Sequence, residues 1–241
     1  MYFDQSDYDI RCEWGEQGVV TLSPHCDVVI IIDVLSFSTC VDVATCRGAI
    51  VYPIGNDQAA ADLAAAKGAA VAVHRGRSGY SLSPASLTTI RADERLVLPS
   101  LNGSRLTVAA REASPSAAVL AGCLRNAAAV AAVATRLGRT VAVIPGGEHW
   151  AAGGIRPALE DWLGAGAVIA HLAGTLSPEA AAAKAAYEAA RENISGILRG
   201  CSSGRELIEL GFAPDVGMAA SLNSSPCASW LVDGGFVRFA G

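Results

Sequence analysis

Residues 28–39 read VVIIIDVLSFST, and they are the clearest indication of the fold in this chain. Their run of β-branched residues predicts a strand buried on both faces, and Asp33 stands at the end of that strand. Ser38 and Thr39 lie where the following helix would begin. Because carboxylates bind hard cations and helix N-termini bind anions, the stretch favours phosphate chemistry. In the alternative interpretation, Asp33, Ser38 and Thr39 only cap the helix and satisfy its free backbone N–H groups.

Apolar strand candidates alternate with Ala-rich helical segments along most of the chain. Strands are predicted at 28–33, 49–53, 70–74, 95–98, 117–121 and 140–144, and helices at 39–47, 57–67, 104–112 and 126–137. A long helical segment at 177–199, a short helix at 204–210 and a terminal strand or hairpin at 231–239 follow. The alternation predicts a layered α/β fold with a mixed, largely parallel sheet. We expect one domain over 1–241, with a flexible loop or lid at 76–92.

Composition sets the outer limits of function. The 241 residues are 51% hydrophobic and 17% charged, which is enough to fill a substantial core. A formal net charge of -5 without any basic run argues against a broad nucleic-acid surface. The chain has no signal-like N-terminus, and no apolar stretch approaches the roughly 20 residues that span a bilayer. We therefore expect a cytoplasmic protein that binds no membrane, with a homodimer compatible with the apolar composition.

The cysteines are odd in number and scattered. The seven are Cys12, Cys26, Cys40, Cys46, Cys123, Cys201 and Cys227. Because no C-x-x-C pair occurs, the sequence predicts neither a disulfide framework nor a zinc site, and most of the thiols are expected to be small buried hydrophobes. Cys123 lacks the neighbouring His or Asp of a nucleophilic motif.

Two polar loops follow predicted strands in the middle of the chain. Asn102-Gly103-Ser104 precedes a helix, and its glycine, hydroxyl and helix N-terminus suit an anion. Arg125 and Asn126 occupy the equivalent place after the next strand, where Arg125 is able to clamp a phosphate or sulfonate. The ligands of open α/β sheets gather beyond the strand ends. A simple turn with a Ser cap, a solvated Arg and a capping Asn are the alternatives.

A third cluster contains Glu148, His149, Glu160 and Asp161. Together with Asp33 these acids supply enough hard oxygen ligands for Mg²⁺, which takes one or two carboxylates plus waters and substrate oxygens. Adjacent Glu160 and Asp161 point differently from one helix, so not all of the acids need bind the ion. His149 is either a general acid or base, or a partly exposed neighbour of the site.

Several other phosphatase and nucleotide-binding motifs are absent from the sequence. No Cys is followed six positions later by Arg, and Asp33-Val34-Leu35 lacks the second Asp of the haloacid-dehalogenase pattern. His74-Arg75-Gly76 inverts the order of the histidine phosphatases, and there is no G-x-x-x-x-G-K-[ST] loop. Phosphoryl chemistry here would use another architecture.

The ordered set of motifs resembles the Mg²⁺-dependent 2-phosphosulfolactate phosphatases, over roughly residues 10–230. The matching pieces are Ile32-Asp33-Val34-Leu35, Ser38-Thr39, Leu98, Asn102-Gly103-Ser104, Asn126, Gly147-Glu148, 159–167, Gly211-Phe212 and Asp215-Val216. The resemblance implies a three-layer α/β/α fold and hydrolysis of (R)-2-phospho-3-sulfolactate to 3-sulfolactate and phosphate. It also implies Mg²⁺ dependence and a place in coenzyme M biosynthesis.

Two positions depart from the family pattern. Ser36-Phe37 stand where relatives usually carry Arg-Ala, and His74-Arg75-Gly76-Arg77 replace a Gly-Glu-Arg motif. Losing one Arg and one Glu from a small anionic site removes a charge clamp and a candidate metal ligand. Arg75, Arg77 and Arg125 are the candidates to replace the lost positive charge.

The working mechanism assigns a role to each candidate residue. Asp33 and Glu148 are the catalytic candidates, and Asp33 with one or more of Glu148, Glu160 and Asp161 would hold Mg²⁺. The predicted substrate-binding set is Ser38, Thr39, Asn102, Gly103, Ser104, Arg125 and Asn126. Attack by activated water is the default, with a phospho-aspartate on Asp33 as the variant. Two other functions remain open: a phosphatase for another small phosphorylated carboxylic acid, and a phosphate-ligand binding protein without turnover.

Overall fold

The buried strand of the opening stretch lies inside a large sheet in the computed structural model, which describes residues 2–55 and 57–241. Val28–Ile32 forms β2, and each of its side chains is fully buried. Val29 and Ile31 pack into one hydrophobic cluster, whereas Val28, Ile30 and Ile32 pack into another. Alternate residues of a strand face opposite sides, so this run places a core on both faces of the sheet.

Nine strands form the main sheet. They are β1 Ile10–Cys12, β2, β3 Ile50–Ile54, β4 Ala70–Val71, β5 Arg95–Pro99, β6 Ala118–Gly122, β7 Val141–Pro145, β10 Ser229–Val232 and β11 Gly235–Arg238. Their order is β1-β7-β2-β6-β10-β11-β3-β5-β4, and β8 Glu148–His149 pairs with β9 Ile155–Arg156 in a separate ribbon. All neighbouring strands of the main sheet run parallel except at the β10–β11 hairpin, which pairs antiparallel with β6 and β3.

Helices cover both faces of the sheet. They are α1 Gly15–Leu22, α2 Phe37–Cys46, α3 Ala60–Lys67, α4 Gly103–Ala113, α5 Ala127–Leu137, α6 Leu159–Ile169, α7 Pro178–Ala190, α8 Ile194–Gly200, α9 Ser202–Glu209 and α10 Ala213–Ala219. Side chains of α1, α2 and α4 share the cluster of Val29 and Ile31, and those of α5, α6 and α7 share the cluster of Ile30. The fold is therefore a three-layer α/β/α arrangement, as expected. No helix within the described residues is long and apolar enough to cross a membrane.

The sheet curves around α2. Four strands lie between β2 and β5, which in a flat sheet would separate these two strands by about 24 Å. The loop after β5 nevertheless hydrogen bonds to the residue that follows β2, through Gly103 and Asp33. Helix α2 contacts β6, β10, β11 and β3 in succession, so it occupies the concave side of the sheet. This curvature brings the ends of distant strands to one place.

Most predicted elements are present, with boundaries that differ by one to three residues. The predicted hairpin at 231–239 is confirmed as β10 and β11. The long helix predicted at 177–199 is interrupted by a 3-10 turn at Arg191–Asn193. Asn193 stands immediately before α8, and Asn is a residue that favours helix ends and turns over helix interiors. The predictions missed β1, β8, β9, α1 and α10, and they gave no bounds for α6. β1 is only three residues long and contains a buried Arg11, so its pattern alone does not predict a strand.

The segment predicted as a loop or lid at 76–92 contains a 3-10 helix, Pro84–Thr89. Leu87 and Ile90 of this segment are fully buried and belong to the cluster that contains α2. Ser83 and Ala85 are hydrogen bonded to Asp215 of α10. The segment is therefore packed into the core along much of its length.

The cysteine prediction is wrong in one respect, because Cys46 and Cys227 form a disulfide. The pair joins the end of α2 to the segment before β10 across 181 positions, with Cα atoms 5.5 Å apart. Spacing in the sequence gives no sign of such a pair, since the fold alone brings the two residues together. Four of the other cysteines are buried, as expected, whereas Cys201 is partly exposed.

Candidate active site

The candidate site lies beyond the carboxyl ends of the central parallel strands. A cavity of about 460 Å³ opens there, and it is lined by Asp33, Ser36, Arg75, Asn102, Arg105 and Glu148, among others. Asp33 follows β2, Asn102 follows β5 and Glu148 follows β7. Strand ends supply side chains from several loops to one point, which is where open α/β sheets bind ligands.

Asp33 is held by two backbone donors. Its Oδ1 accepts the N–H of Phe37 at 3.1 Å, and its Oδ2 accepts the N–H of Gly103 at 2.8 Å. The carboxylate is 6% exposed, so these bonds offset part of the cost of burying it. It thereby joins the first residues of α2 and α4 and faces the cavity with its remaining lone pairs.

Gly103 is required at this point of close approach. A Cβ built on Gly103 would collide with the ring of Phe37 and lie 2.8 Å from Asp33 Oδ2. A glycine at this position was expected to let the backbone approach an anion. In the structure, the anion that the Gly103 N–H meets is the carboxylate of Asp33.

Asp161 joins two strand-end loops. Its Oδ1 accepts the N–H of Val34, and its Oδ2 accepts the N–H of Gly147, both at 2.8 Å. Glu160 precedes it in the first turn of α6, where the helix dipole favours acids, and its Oε2 accepts a weak hydrogen bond from Cys201 Sγ at 3.4 Å. Glu160 and Asp161 are 2% and 4% exposed. Both acids are therefore buried behind the floor of the site.

Glu148 and His149 are oriented by one amide. Asn102 Nδ2 donates to Glu148 Oε2 at 2.9 Å, and Asn102 Oδ1 lies 3.1 Å from His149 Nδ1. Glu148 is partly buried and His149 is exposed at the rim. The geometry brings together Asn102, Glu148 and His149, which the sequence analysis had assigned to two separate loops.

The four acids repel one another in a poorly solvated site. Burial raises the pKa of Asp33, and the charge of Glu160 raises it further, against the N–H bonds of Phe37 and Gly103. Burial together with Asp33 and Glu160 raises the pKa of Asp161 well above its ordinary value. Burial and Asp33 raise the pKa of Glu148 to about 6. The cluster therefore carries more negative charge than its surroundings neutralise.

Glu148 gives a test of this repulsion by pH. Its pKa rises from 4.5 to about 6 on folding, so below pH 4.5 it is protonated in both states and costs the fold nothing. As pH rises from about 4.5 to about 6, the unfolded chain loses this proton before the folded protein does, so stability falls over this window and is constant above it. Without divalent cations, the unfolding free energy of wild type should drop relative to that of Glu148→Gln over this window. Urea titrations of both proteins measure it, and a difference independent of pH would contradict the repulsion.

Arg75 and Arg105 are the positive side chains of the cavity. Arg75 Nη2 donates to Ser36 Oγ at 2.7 Å, and Arg75 Nε donates to the carbonyl of Leu82 at 2.7 Å. Arg105 pairs with Glu16 at 2.6 Å with both side chains about half exposed. From the sequence, Arg75 was predicted only as a substitute for the lost positive charge, and Arg105 was not predicted. The available signal was the position of Arg105, which directly follows Asn102-Gly103-Ser104 in the first turn of the helix after β5.

The hydroxyls of Ser38, Thr39 and Ser104 bond to the backbone. Ser38 Oγ donates to Ile31 and accepts the N–H of Asp33, Thr39 donates to Val34, and Ser104 donates to Leu98. All three residues are fully buried. These contacts correspond to the alternative interpretation, in which the hydroxyls fix the loops. As substrate ligands the three residues remain predictions.

Arg125 and Asn126 are engaged with protein groups. Arg125 Nε donates to Asp42 Oδ2 at 2.9 Å, and Asp42 is fully buried. Asn126 Oδ1 accepts the N–H of Cys123, and its Nδ2 donates to the carbonyl of Ala121. The structure thus joins Arg125 to α2, whereas Arg75 is the arginine that lines the cavity with Asp33.

A metal ion at this site would need ligands beyond the protein carboxylates. Within residues 2–55 and 57–241, no three His, Cys, Asp or Glu side chains form a metal-ligating group. The donor set is nevertheless all oxygen, buried and in excess of positive charge, which fits a hard divalent cation with water and substrate oxygens. Mg²⁺ remains a prediction for this site.

Fold and site together define a three-layer α/β protein with a strand-end cleft lined by acids and arginines. A model of the 2-phosphosulpholactate phosphatase family matches residues 19–234. A probable 2-phosphosulfolactate phosphatase of Carboxydothermus hydrogenoformans is 32% identical over 81% of this chain and 82% of its own. The 2-phosphosulfolactate phosphatase of Methanothermobacter thermautotrophicus is 32% identical over 78% and 79%, and a probable one of Gloeobacter violaceus is 29% identical over 84% and 86%. The chain belongs to this family and is a phosphoric monoester hydrolase.

Proposed function

We propose that this protein hydrolyses 2-phospho-3-sulfolactate to 3-sulfolactate and phosphate in a Mg²⁺-dependent reaction. The observation that carries the proposal is the meeting of Asp33 and Glu148 with Arg75 and Arg105 in one strand-end cavity. Carboxylates suit a divalent cation, and the arginines suit the anionic groups of the substrate. The names of the relatives supply the particular ester.

The position of Arg75 supports an anionic substrate despite the departures from the family pattern. Ser36 stands where family members usually carry Arg, and the guanidinium of Arg75 reaches its hydroxyl. The guanidinium of Arg75 therefore places a positive charge beside Ser36, although Ser36 itself is neutral. The other departure, at His74-Arg75-Gly76-Arg77, removes a Glu. The acids that remain at the site are Asp33, Glu148, Glu160 and Asp161.

Asp33 and Glu148 are the residues that would hold Mg²⁺, supported by Glu160 and Asp161 behind them. Bound there, the ion would neutralise phosphate oxygens and polarise the ester. Phosphoryl transfer is catalysed mainly by positioning and electrostatics, and Arg75 and Arg105 at the cavity wall would contribute by holding the anionic groups of the substrate in place.

Water attack suits the geometry better than a phospho-aspartate. Both oxygens of Asp33 accept backbone N–H bonds, which hold the carboxylate in place and reduce its nucleophilicity. Asn102 holds Oε2 of Glu148, which leaves Oε1 to face the cavity, where it would bind the ion or accept a hydrogen bond from the attacking water.

The direct test is phosphate release from 2-phospho-3-sulfolactate and a panel of small phosphorylated carboxylic acids, each with Mg²⁺ and with EDTA. Mg²⁺-dependent release from the sulfolactate ester supports both chemistry and substrate. Release only from another ester keeps the chemistry and replaces the substrate. Thermal stabilisation by the esters without any release would favour a binding protein.

Replacing Arg75 with Gln should raise KM for the ester by about tenfold to a hundredfold, since a charge-assisted hydrogen bond is lost. The kcat should change much less if Arg75 binds ground state and transition state alike. Arg77→Gln, two residues away and outside the lining of the cavity, is the matched control. Steady-state kinetics measure both constants, and equal KM values for Arg75→Gln and wild type would remove Arg75 from the substrate site.

A further inference from the structure

A buried carboxylate lies outside the cavity, in the first turn of α10. Asp215 is 1% exposed, and its Oδ1 accepts the hydroxyl of Ser83 at 2.8 Å and the N–H of Ala85 at 3.0 Å. Its Oδ2 is buried without a hydrogen-bond partner in the described part of the chain. A buried acid with one unpaired oxygen is costly, so its position calls for a compensating role.

The segment that Asp215 holds carries the support of Arg75. Leu82 precedes Ser83, and its carbonyl accepts Arg75 Nε. Within the segment, Ser86 Oγ accepts the N–H of Ser81 and donates to the carbonyl of Ser83, so the turn is internally fixed. A shift of residues 81–86 would therefore move the carbonyl to which Arg75 is bonded.

Arg75 is aimed at the cavity by the contacts on its other sides. Its Nη2 is bonded to Ser36, whereas its Nη1 donates to no group within residues 2–55 and 57–241. The ring of Phe212, three residues before Asp215, lies 5.6 Å from the guanidinium carbon. Residues at the start of α10 thus act on Arg75 in two ways. The ring of Phe212 contacts the guanidinium directly, and Asp215 holds the segment whose Leu82 carbonyl accepts from Arg75. Three of the five N–H groups of the Arg75 guanidinium, two of them on Nη1, are left for a ligand.

We propose that Asp215 is a positioning residue for substrate-anion binding, which acts through the 81–86 segment to fix the guanidinium of Arg75 at the cavity wall. That the bound anion is the substrate's rests on the proposed function. The coupling of Asp215 to anion binding at Arg75 does not, because inorganic phosphate probes it directly.

The test compares Asp215→Ala with Val216→Ala. Val216 is the next residue of α10 and is fully buried, but it belongs to the hydrophobic cluster of Ile30, whereas Leu87 of the 3-10 helix held by Asp215 belongs to the other cluster. Its truncation therefore removes packing without removing the acceptor of Ser83 and Ala85. Calorimetric titration with inorganic phosphate should give about a tenfold weaker Kd for Asp215→Ala, the value of one misplaced charge-assisted bond. Val216→Ala should lower Tm and keep the wild-type Kd. With the ester, Asp215→Ala should raise KM by the same factor with kcat within about twofold.

The same change in the Arg75→Gln background separates positioning from general damage. There, Asp215→Ala should not weaken phosphate binding further, because the group that it positions is gone. An equal weakening by Val216→Ala, an undiminished effect in the Arg75→Gln background, or no phosphate binding by wild type would each overturn the proposal. Phosphate binding that responds to Asp215 in a protein that releases no phosphate from any ester would reject the proposed function and leave the positioning role standing.

Discussion

Replacing Asp33 with Asn is expected to lower the rate of phosphate release by roughly 10³-fold, the cost of removing a preorganised electrostatic group from a water-poor site. The side chain keeps its shape and one acceptor, but it loses the charge that faces the cavity. The amide NH2 faces the N–H of Phe37 or of Gly103, so one of the two hydrogen bonds is lost, and because burial already disfavours the charge of Asp33, removal of that charge offsets part of this loss. The unfolding free energy should therefore change by only about 1 kcal/mol.

Phosphate release in single turnover and urea unfolding measure the two effects separately. Asp42→Asn is the matched control, since Asp42 is also a buried aspartate of this region but pairs with Arg125 outside the cavity. The control should lose stability and keep turnover. An Asp33→Asn protein that works at more than a tenth of the wild-type rate would remove Asp33 from catalysis.

Asp161→Ala is expected to damage both stability and turnover. It leaves the N–H groups of Val34 and Gly147 without acceptors in a buried place, at about 1–3 kcal/mol each, and relief of the buried charge returns part of that. We expect a net loss of about 2–4 kcal/mol in unfolding free energy. Turnover should fall by roughly a hundredfold, because the loops that carry Asp33 and Glu148 lose their common anchor.

Asp27→Ala provides the comparison for that variant. Asp27 also accepts two backbone N–H groups, from Arg139 and Thr140, but at the opposite end of the sheet and in an exposed position. It should cost less stability and leave turnover unchanged. Wild-type turnover in a folded Asp161→Ala protein would show that the anchor is not needed for the reaction.

The elements of the fold were largely predictable because short-range patterns determine them. The β-branched run of β2 and the Ala-rich periodicity of α5 predict a strand and a helix without reference to the rest of the chain. β1 was missed because its pairing with β7, at a sequence distance of more than 100 residues, stabilises it more than its own three residues do. The Cys46–Cys227 disulfide was missed for the same reason.

The sequence predicted which strand-end residues would meet at the candidate site, but it did not predict the role of each of them. Asp33, Glu148 and Asn102 meet at one cavity, as residues at the carboxyl ends of strands are expected to do. Which arginine joins them was not predictable, since Arg75 and Arg125 both follow strands. A long side chain takes the direction that its nearest acceptor offers: Asp42 for Arg125, Ser36 and Leu82 for Arg75.

The α/β class, the buried strand and the acid at its end follow from short stretches of sequence, because local hydrophobic periodicity and turn chemistry act over a few residues. Only the tertiary structure decided that the hairpin of β10 and β11 enters the sheet between β6 and β3 and that the sheet curves around α2. Those choices depend on packing between residues far apart in the chain. They place Gly103 against Asp33 across four intervening strands, and so they build the site.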